Sequence, residues 1–248
     1  MRKEDGQMRA LFTAGVDTSH VSRRAPATVR ELRGRPSGGV IAALVMATAL
    51  WGVVVDADFV PLLAPTGNST IFQASTAASF ATLGVFFGPG IGALAGILRD
   101  TIIYIEQVIV EPTKSLHAGA LHYVIRWLID ALEDAILGFL PGLVALRTRR
   151  LSVIAVTSAL AAWISLPLLV IGNTLNDGQP GQVWHALTTK IGDWDEPVDP
   201  GLTVYALLTA ALVACALARW TTRPRRALLI GGVFLAFAAA LMALGGHT

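Results

Sequence analysis

The chain has 248 residues, 54% of them hydrophobic and only 15% charged, with a formal net charge of +2. Soluble domains carry roughly 25% charged residues, so this composition excludes a soluble fold, a disordered chain, collagen and a coiled coil. The single Cys215 excludes an internal disulfide framework, and the reading left is an all-α polytopic membrane protein.

The first 38 residues form a basic tail rich in Arg, with scattered Pro and Gly. The tail lacks the apolar stretch of a signal peptide and is expected to be a disordered cytoplasmic segment beside anionic lipid. A bilayer core of ~30 Å needs about 20 apolar residues per helix. That measure predicts spans at 39–60, 70–88, 90–110, 118–146, 151–172, 201–219 and 226–245. The domain division that follows is the tail 1–38, a six-helix bundle over 39–219 and an additional transmembrane helix within 220–248. Gly88-Pro89-Gly90 separates the second and third spans, and Pro there predicts a tight hairpin in place of one long helix. The fourth run exceeds what a membrane needs, so it tilts or projects. Val183 to Ile191 is expected as a short interfacial helix, with Trp184 facing apolar surroundings.

Charge placement orients the spans. Fifteen of the 19 Lys and Arg fall in the tail, at Arg147, Arg149 and Arg150, or at Arg219, Arg223, Arg225 and Arg226. Alternating helices put all of these on one side, so the positive-inside rule predicts a cytoplasmic N-terminus and an external C-terminus. The basic residues do not form a stripe with interleaved aromatics, so nucleic acid is not an expected partner. No zinc-ligand spacing, P-loop, dinucleotide fingerprint or nucleophile elbow is present, and no catalytic role, metal or cofactor is expected.

Polar groups inside the predicted spans stand out because a charge at mid-bilayer costs ~2.5–3.5 kcal/mol on insertion scales. The third span carries Arg99, Asp100, Tyr104, Glu106 and Gln107, and the fourth carries His122, Arg126, Asp130, Glu133 and Asp134. Arg126, Asp130 and Asp134 step by four and share one helix face. Depths counted at ~1.5 Å per residue predict the interhelical pairs Arg99–Asp130 and Asp100–Arg126. This buried network either fixes helix register alone or, with the acidic surplus of Glu133 and Asp134, offers a path to a proton or cation.

The outer ends are polar by a different inventory: Asn68, Gln73, Tyr104, Gln107, His122, Asn173 and the loop 173–200 with Trp184, His185 and Trp194. These residues are either ordinary helix-end capping at a wet interface or the lining of an outward cavity for a small polar solute. Ala43 and Ala47, and Gly92 and Gly96, stand four apart, a spacing that lets helices approach closely, within the chain or across to a partner.

The segment Phe86 to Asp100, FFGPGIGALAGILRD, resembles the second-to-third helix junction of substrate-binding S components of energy-coupling-factor vitamin transporters. Ala43 and Ala47 match that family's Ala-x-x-x-Ala first helix, and DAILGFLPG, Asp134 to Gly142, looks like its small-residue helix end. The resemblance implies a six-helix plan and docking through Ala43 and Ala47 on a transmembrane coupling subunit with two cytoplasmic ATPases. It further implies capture of a vitamin-like solute from outside, followed by toppling of the subunit in the bilayer. The basic tail, the seventh span and Arg99 beside Asp100 depart from that pattern. Arg99 resembles instead the Gly-Pro…Arg pattern of five-helix sensor domains, so a membrane sensory module is a second reading. An ion-coupled secondary carrier using Arg99, Asp100, Arg126 and Asp130 is a third.

Overall fold

A computed structural model describes residues 37–56, 69–110, 120–176, 180–191, 200–218, 221 and 223–245. Every regular element among them is helical: α1 (Gly38–Asp56), α2 (Ser69–Phe87), α3 (Pro89–Val110), α4 (Ala120–Arg147), α5 (Leu151–Asn176), α6 (Val183–Ile191), α7 (Pro200–Ala218) and α8 (Pro224–Gly245). A single 3₁₀ turn, Pro180–Gln182, precedes α6. The basic tail lies outside the described residues.

Among the described residues three helices are long and apolar enough to cross a membrane, over Gly38–Val55, Leu151–Gly172 and Pro224–Leu241. The apolar stretches Ile71–Phe87 and Thr203–Ala218, in α2 and α7, are shorter. α3 and α4 have the length, 22 and 28 residues, but Arg99, Asp100 and Glu106 interrupt one and Arg126, Asp130, Glu133 and Asp134 the other. At ~1.5 Å per residue α4 runs about 42 Å, more than a bilayer core requires.

Large apolar side chains cover the outside of the bundle, among them Leu50, Leu128, Leu132, Ile164, Leu229 and Phe237. The inside is built from small residues: Ala74, Ala95, Ala155, Ala161, Ala162, Ala210 and Ala214 have no exposed surface. Lipid tails are as apolar as Leu, so such helices gain by close van der Waals approach, which small residues permit. α2 is central and packs on α1, α3, α4 and α7. Phe80 of α2 fills the principal core cluster with Val45, Leu83, Ala95, Leu137, Ala162 and Ala206. α8 packs chiefly on α7 and shares a second cluster, in which Ile230 and Phe234 meet Ala155, Ala210 and Ala214.

The expected break between the second and third spans is one residue wide. Gly88 has φ +106°, a conformation that penalises any Cβ, and Pro89 starts α3, where its missing N–H costs nothing. The Gly88 N–H caps α2 by donating to the Gly84 carbonyl at 2.9 Å, and the Gly88 carbonyl accepts from Ile91 at 3.0 Å. The chain reverses here because glycines also line the helices on either side. A Cβ on Gly92 would lie 2.7 Å from both Gly84 Cα and the Gly138 carbonyl oxygen. One on Gly96 would lie 2.7 Å from the Asp134 backbone. The Gly92/Gly96 face is thus consumed by packing within the chain.

Gly92→Ala forces backbone apart at this crossing and is expected to lower stability by about 1–3 kcal/mol, the usual cost of overpacking. Gly232→Ala on α8, where nothing lies within 4 Å, is expected to leave stability unchanged or gain about 0.5–1 kcal/mol. Thermal unfolding of the two detergent-solubilised variants measures the contrast.

Candidate functional site

Gly92 against Gly138 and Gly96 against Asp134 set the antiparallel register of α3 and α4. Carried one and two turns toward the C-terminal end of α3, that register places Asp100 level with Asp130 and Tyr104 level with Arg126. Five charged side chains pair at this crossing: Arg99 and Asp100 from α3, and Arg126, Asp130 and Asp134 from α4. Asp100, Asp134 and Glu133 are buried, at 2%, 4% and 8% exposure.

The Arg99 guanidinium donates to Asp100 Oδ1 and to Asp134 Oδ2, both at 2.9 Å. Its stem lies against α1 and α2: a Cβ on Gly52 would come within 2.9 Å of Arg99 Cγ and 3.0 Å of the Thr76 methyl. Gly52 is the gap through which the side chain passes. Asp130 accepts a hydrogen bond from the Tyr104 hydroxyl at 2.7 Å and faces Arg126 Nε at 3.7 Å. The Arg126 guanidinium in turn stands over the Tyr104 ring, 5.2 Å from its centroid, within cation–π range. Asp130 also presses on α5 at Gly172, where a side chain would collide with its carboxylate. Tyr205 of α7 packs against the principal core cluster.

This arrangement differs from the expected pairs, Arg99–Asp130 and Asp100–Arg126. Arg99 reaches one turn inward along α4 to Asp134, and Asp130 is held by Tyr104 and Arg126. Counting rise along the axis fixes height but not azimuth, and the glycine contact at Gly96 brings Asp134 to the seam. The same register carries Arg126 one turn outward of Asp100. Asp134, which the sequence shows only as part of an acidic surplus, thus belongs to the network. The glycine spacing Gly92/Gly96 read together with Asp134/Gly138/Gly142 is the signal that points to that register.

Among the described residues the candidate solute residues are distributed over α2, α3, α4, α5 and α6. Tyr104 is buried in the charge network, Gln107 is half-buried on α3, and Gln73 is exposed on α2. Trp184 is 76% exposed on α6, so any apolar surroundings it has lie outside the chain, and His185 beside it is exposed. His122 lies on α4 and Asn173 on α5. Asn68 and Trp194 lie outside the described residues. A cleft of about 350 Å³ opens between the C-terminal half of α3 and the N-terminal part of α4, lined by Thr101, Tyr104, Val108, Tyr123, Val124 and Trp127. Its lining is apolar and aromatic. A second groove, of about 330 Å³, runs between α1, α2 and α7 with Thr48, Ser75, Ser79 and Thr82 along it. The Trp51 indole donates to Ser75 at the same face, at 3.0 Å.

No protein-family model, curated protein or solved structure matches this chain. The chemistry of the network therefore rests on its own geometry. Two guanidinium groups serve three aspartates, which ties α3 to α4 through charge-assisted bonds in surroundings that solvate charge poorly. Such pairs cost several kcal/mol to desolvate and cost more when broken on one side.

Arg99→Ala is expected to destabilise the protein by about 3–5 kcal/mol by stranding two buried carboxylates. Tyr104→Phe, which removes one hydrogen bond to a charged acceptor, is expected to cost about 1.5–3 kcal/mol. Combining Arg99→Met with Asp134→Leu is expected to lose less than the sum of the single changes, read as a double-mutant cycle in denaturant or heat.

Proposed function

We propose that this protein is a multi-pass membrane subunit that binds a small vitamin-like solute and docks on a separate coupling subunit, as S components of energy-coupling-factor importers do. In this reading seven helices cross the cell membrane, α6 lies at the outer interface, the N-terminus is cytoplasmic and the C-terminus external. Work is supplied by cytoplasmic ATPases acting through the coupling subunit.

The observation that carries the proposal is α1. It is apolar enough to cross a membrane, yet it holds to the bundle by one stripe, Val45, Ala49, Gly52 and Val55. Ala43 and Ala47 lie exposed on another face. A helix left open along a small-residue face is suited to close approach by a second transmembrane helix. The Gly88-Pro89 junction and the glycine-packed α3 agree with the segment that carries the family resemblance.

Purified in mild detergent, the protein is expected to retain a small molecule identifiable by mass spectrometry, and re-adding it is expected to alter Trp fluorescence. Ala43→Leu is expected to abolish co-purification with the coupling subunit while ligand affinity stays within about twofold, a change of ~0.4 kcal/mol. A stripped chain that binds no member of a vitamin panel refutes the solute assignment; unchanged co-purification refutes the docking face.

The acidic surplus beside Arg99 favours a second reading, an ion-coupled carrier. Such a carrier is expected to move solute into liposomes along an ion gradient with no other subunit present, whereas a binding subunit alone is expected to move none.

A further inference from the structure

One end of the bundle gathers arginines and, among the described residues, no acid. Ile154 at the start of α5 shares a core cluster with Leu217 at the end of α7. Ala145 near the end of α4 and Phe86 near the end of α2 pack against the same cluster. The α4–α5 and α7–α8 junctions therefore lie at one end. Arg147 and Arg150 stand at the first junction, and Arg223, Arg225 and Arg226 at the second, all five exposed. The described acids are Asp56, Asp100, Glu106, Asp130, Glu133 and Asp134. Asp134 is the nearest of them along α4, and at ~1.5 Å per residue it lies about 20 Å from Arg147.

The two junctions are built alike. The Arg150 N–H donates to the Thr148 hydroxyl, and the Arg223 N–H to the Thr221 hydroxyl, each at 3.2 Å. The Arg150 carbonyl then accepts from Ile154 at 3.1 Å, and the Arg223 carbonyl from Ala227 at 3.3 Å. Each arginine is thus the residue from which the next helix starts. Ala155 of α5 and Ile230 of α8 meet in one cluster with Ala210 and Ala214 of α7. Arg150 and Arg226 precede those two residues by similar lengths of chain, so they lie at nearly the same height. Helix starts favour acids, because the macrodipole is positive there, yet neither α5 nor α8 has an acid in its first turn. Like charges held at one end repel, and an anion set among them relieves the repulsion.

The neighbours of the arginines select the kind of anion. Val153 on α5 and Leu228 and Leu229 on α8 are large, apolar and exposed, within a turn of Arg150 and Arg226. A free phosphate would match the arginines alone. A phospholipid matches both, with its phosphate on the guanidinium groups and its chains along the leucines and valine.

We propose that the end of the bundle where α5 and α8 begin is a binding site for an anionic phospholipid, held by Arg150 from one junction and Arg223, Arg225 and Arg226 from the other. Guanidinium groups suit this role because their planar fork donates two parallel bonds to phosphate oxygens. The site rests on the membrane reading of the chain and is independent of any solute or coupling subunit.

The test is native mass spectrometry of the full detergent-solubilised chain, titrated with phosphatidylglycerol or phosphatidylcholine. Phosphatidylglycerol is expected to bind about tenfold more tightly or better, and equal binding of the two overturns the proposal. Arg150→Gln is expected to weaken phosphatidylglycerol binding about fivefold, and Arg225→Gln with Arg226→Gln by more. Combining all three is expected to weaken it by less than the product of the separate effects, because both junctions hold one headgroup. Effects that simply multiply, or variants that bind as the wild type does, overturn the shared site. Should the variants not fold, the wild type is expected to lose its preference for phosphatidylglycerol in high salt, and a preference that salt leaves intact overturns the proposal. Inorganic phosphate in excess is expected not to displace the lipid; displacement assigns the site to soluble phosphate and defeats it. A chain that stays soluble without detergent defeats the membrane reading itself, whereas one that inserts in phosphatidylcholine nanodiscs but shows no preference defeats the lipid site alone.

Discussion

Arg99 is the residue around which the rest of the bundle is arranged. Its guanidinium bridges Asp100 on its own helix and Asp134 on the next, and its stem runs past Gly52 of α1, so one side chain links α3 to α1 and α4. An arginine cannot shed its charge, which leaves the protein no option but to surround it with acceptors. The glycines at 84, 92, 96, 138 and 142 bring the backbones of α2, α3 and α4 close enough for that arrangement. Close packing and ion pairing here are one constraint seen twice. The glycines set the register, and the register decides which carboxylate meets which guanidinium.

The polarity of the molecule is inverted relative to a water-soluble helical bundle. Leu, Phe, Ile and Val side chains are displayed outward, while Ala, Gly, Ser and Thr fill the interior together with the charges. The interior hydroxyls satisfy themselves locally: Ser158, Ser165, Thr174 and Thr209 each donate to a backbone carbonyl one turn back. Such bonds cost the helix little and leave no polar group seeking a partner. The ion network is the one interior feature of the described helices that joins neighbours by charge.

Of the three helices apolar enough to cross a membrane, α1 and α8 are the least embedded, with 22% and 17% of their apolar windows buried against 47% for α5. They differ in what they expose. α8 turns large side chains outward, Leu228, Leu229, Leu235 and Phe237, which suits lipid. α1 exposes Ala43 and Ala47 among its larger residues, a shape that another helix fits better than a disordered acyl chain does. The proposed docking role rests on that contrast.

Much of the fold was legible in the linear chain. Hydropathy and length located every long helix to within a few residues, since a bilayer-length apolar run has few other folded solutions. Gly88-Pro89 marked the break between α2 and α3 because a positive φ and a missing N–H leave a helix no way through. The charged residues of the site could be named, and even their heights estimated, because rise per residue is nearly constant. Their partners could not. Whether Arg99 meets Asp130 or Asp134 depends on helix rotation and on an approach distance set by glycines nearly 50 residues apart in sequence. Composition thus determined that this chain is helical and fit for a membrane. Only the tertiary contacts decided which charges neutralise one another, because azimuth and interhelical distance are properties of pairs of helices and not of either sequence alone.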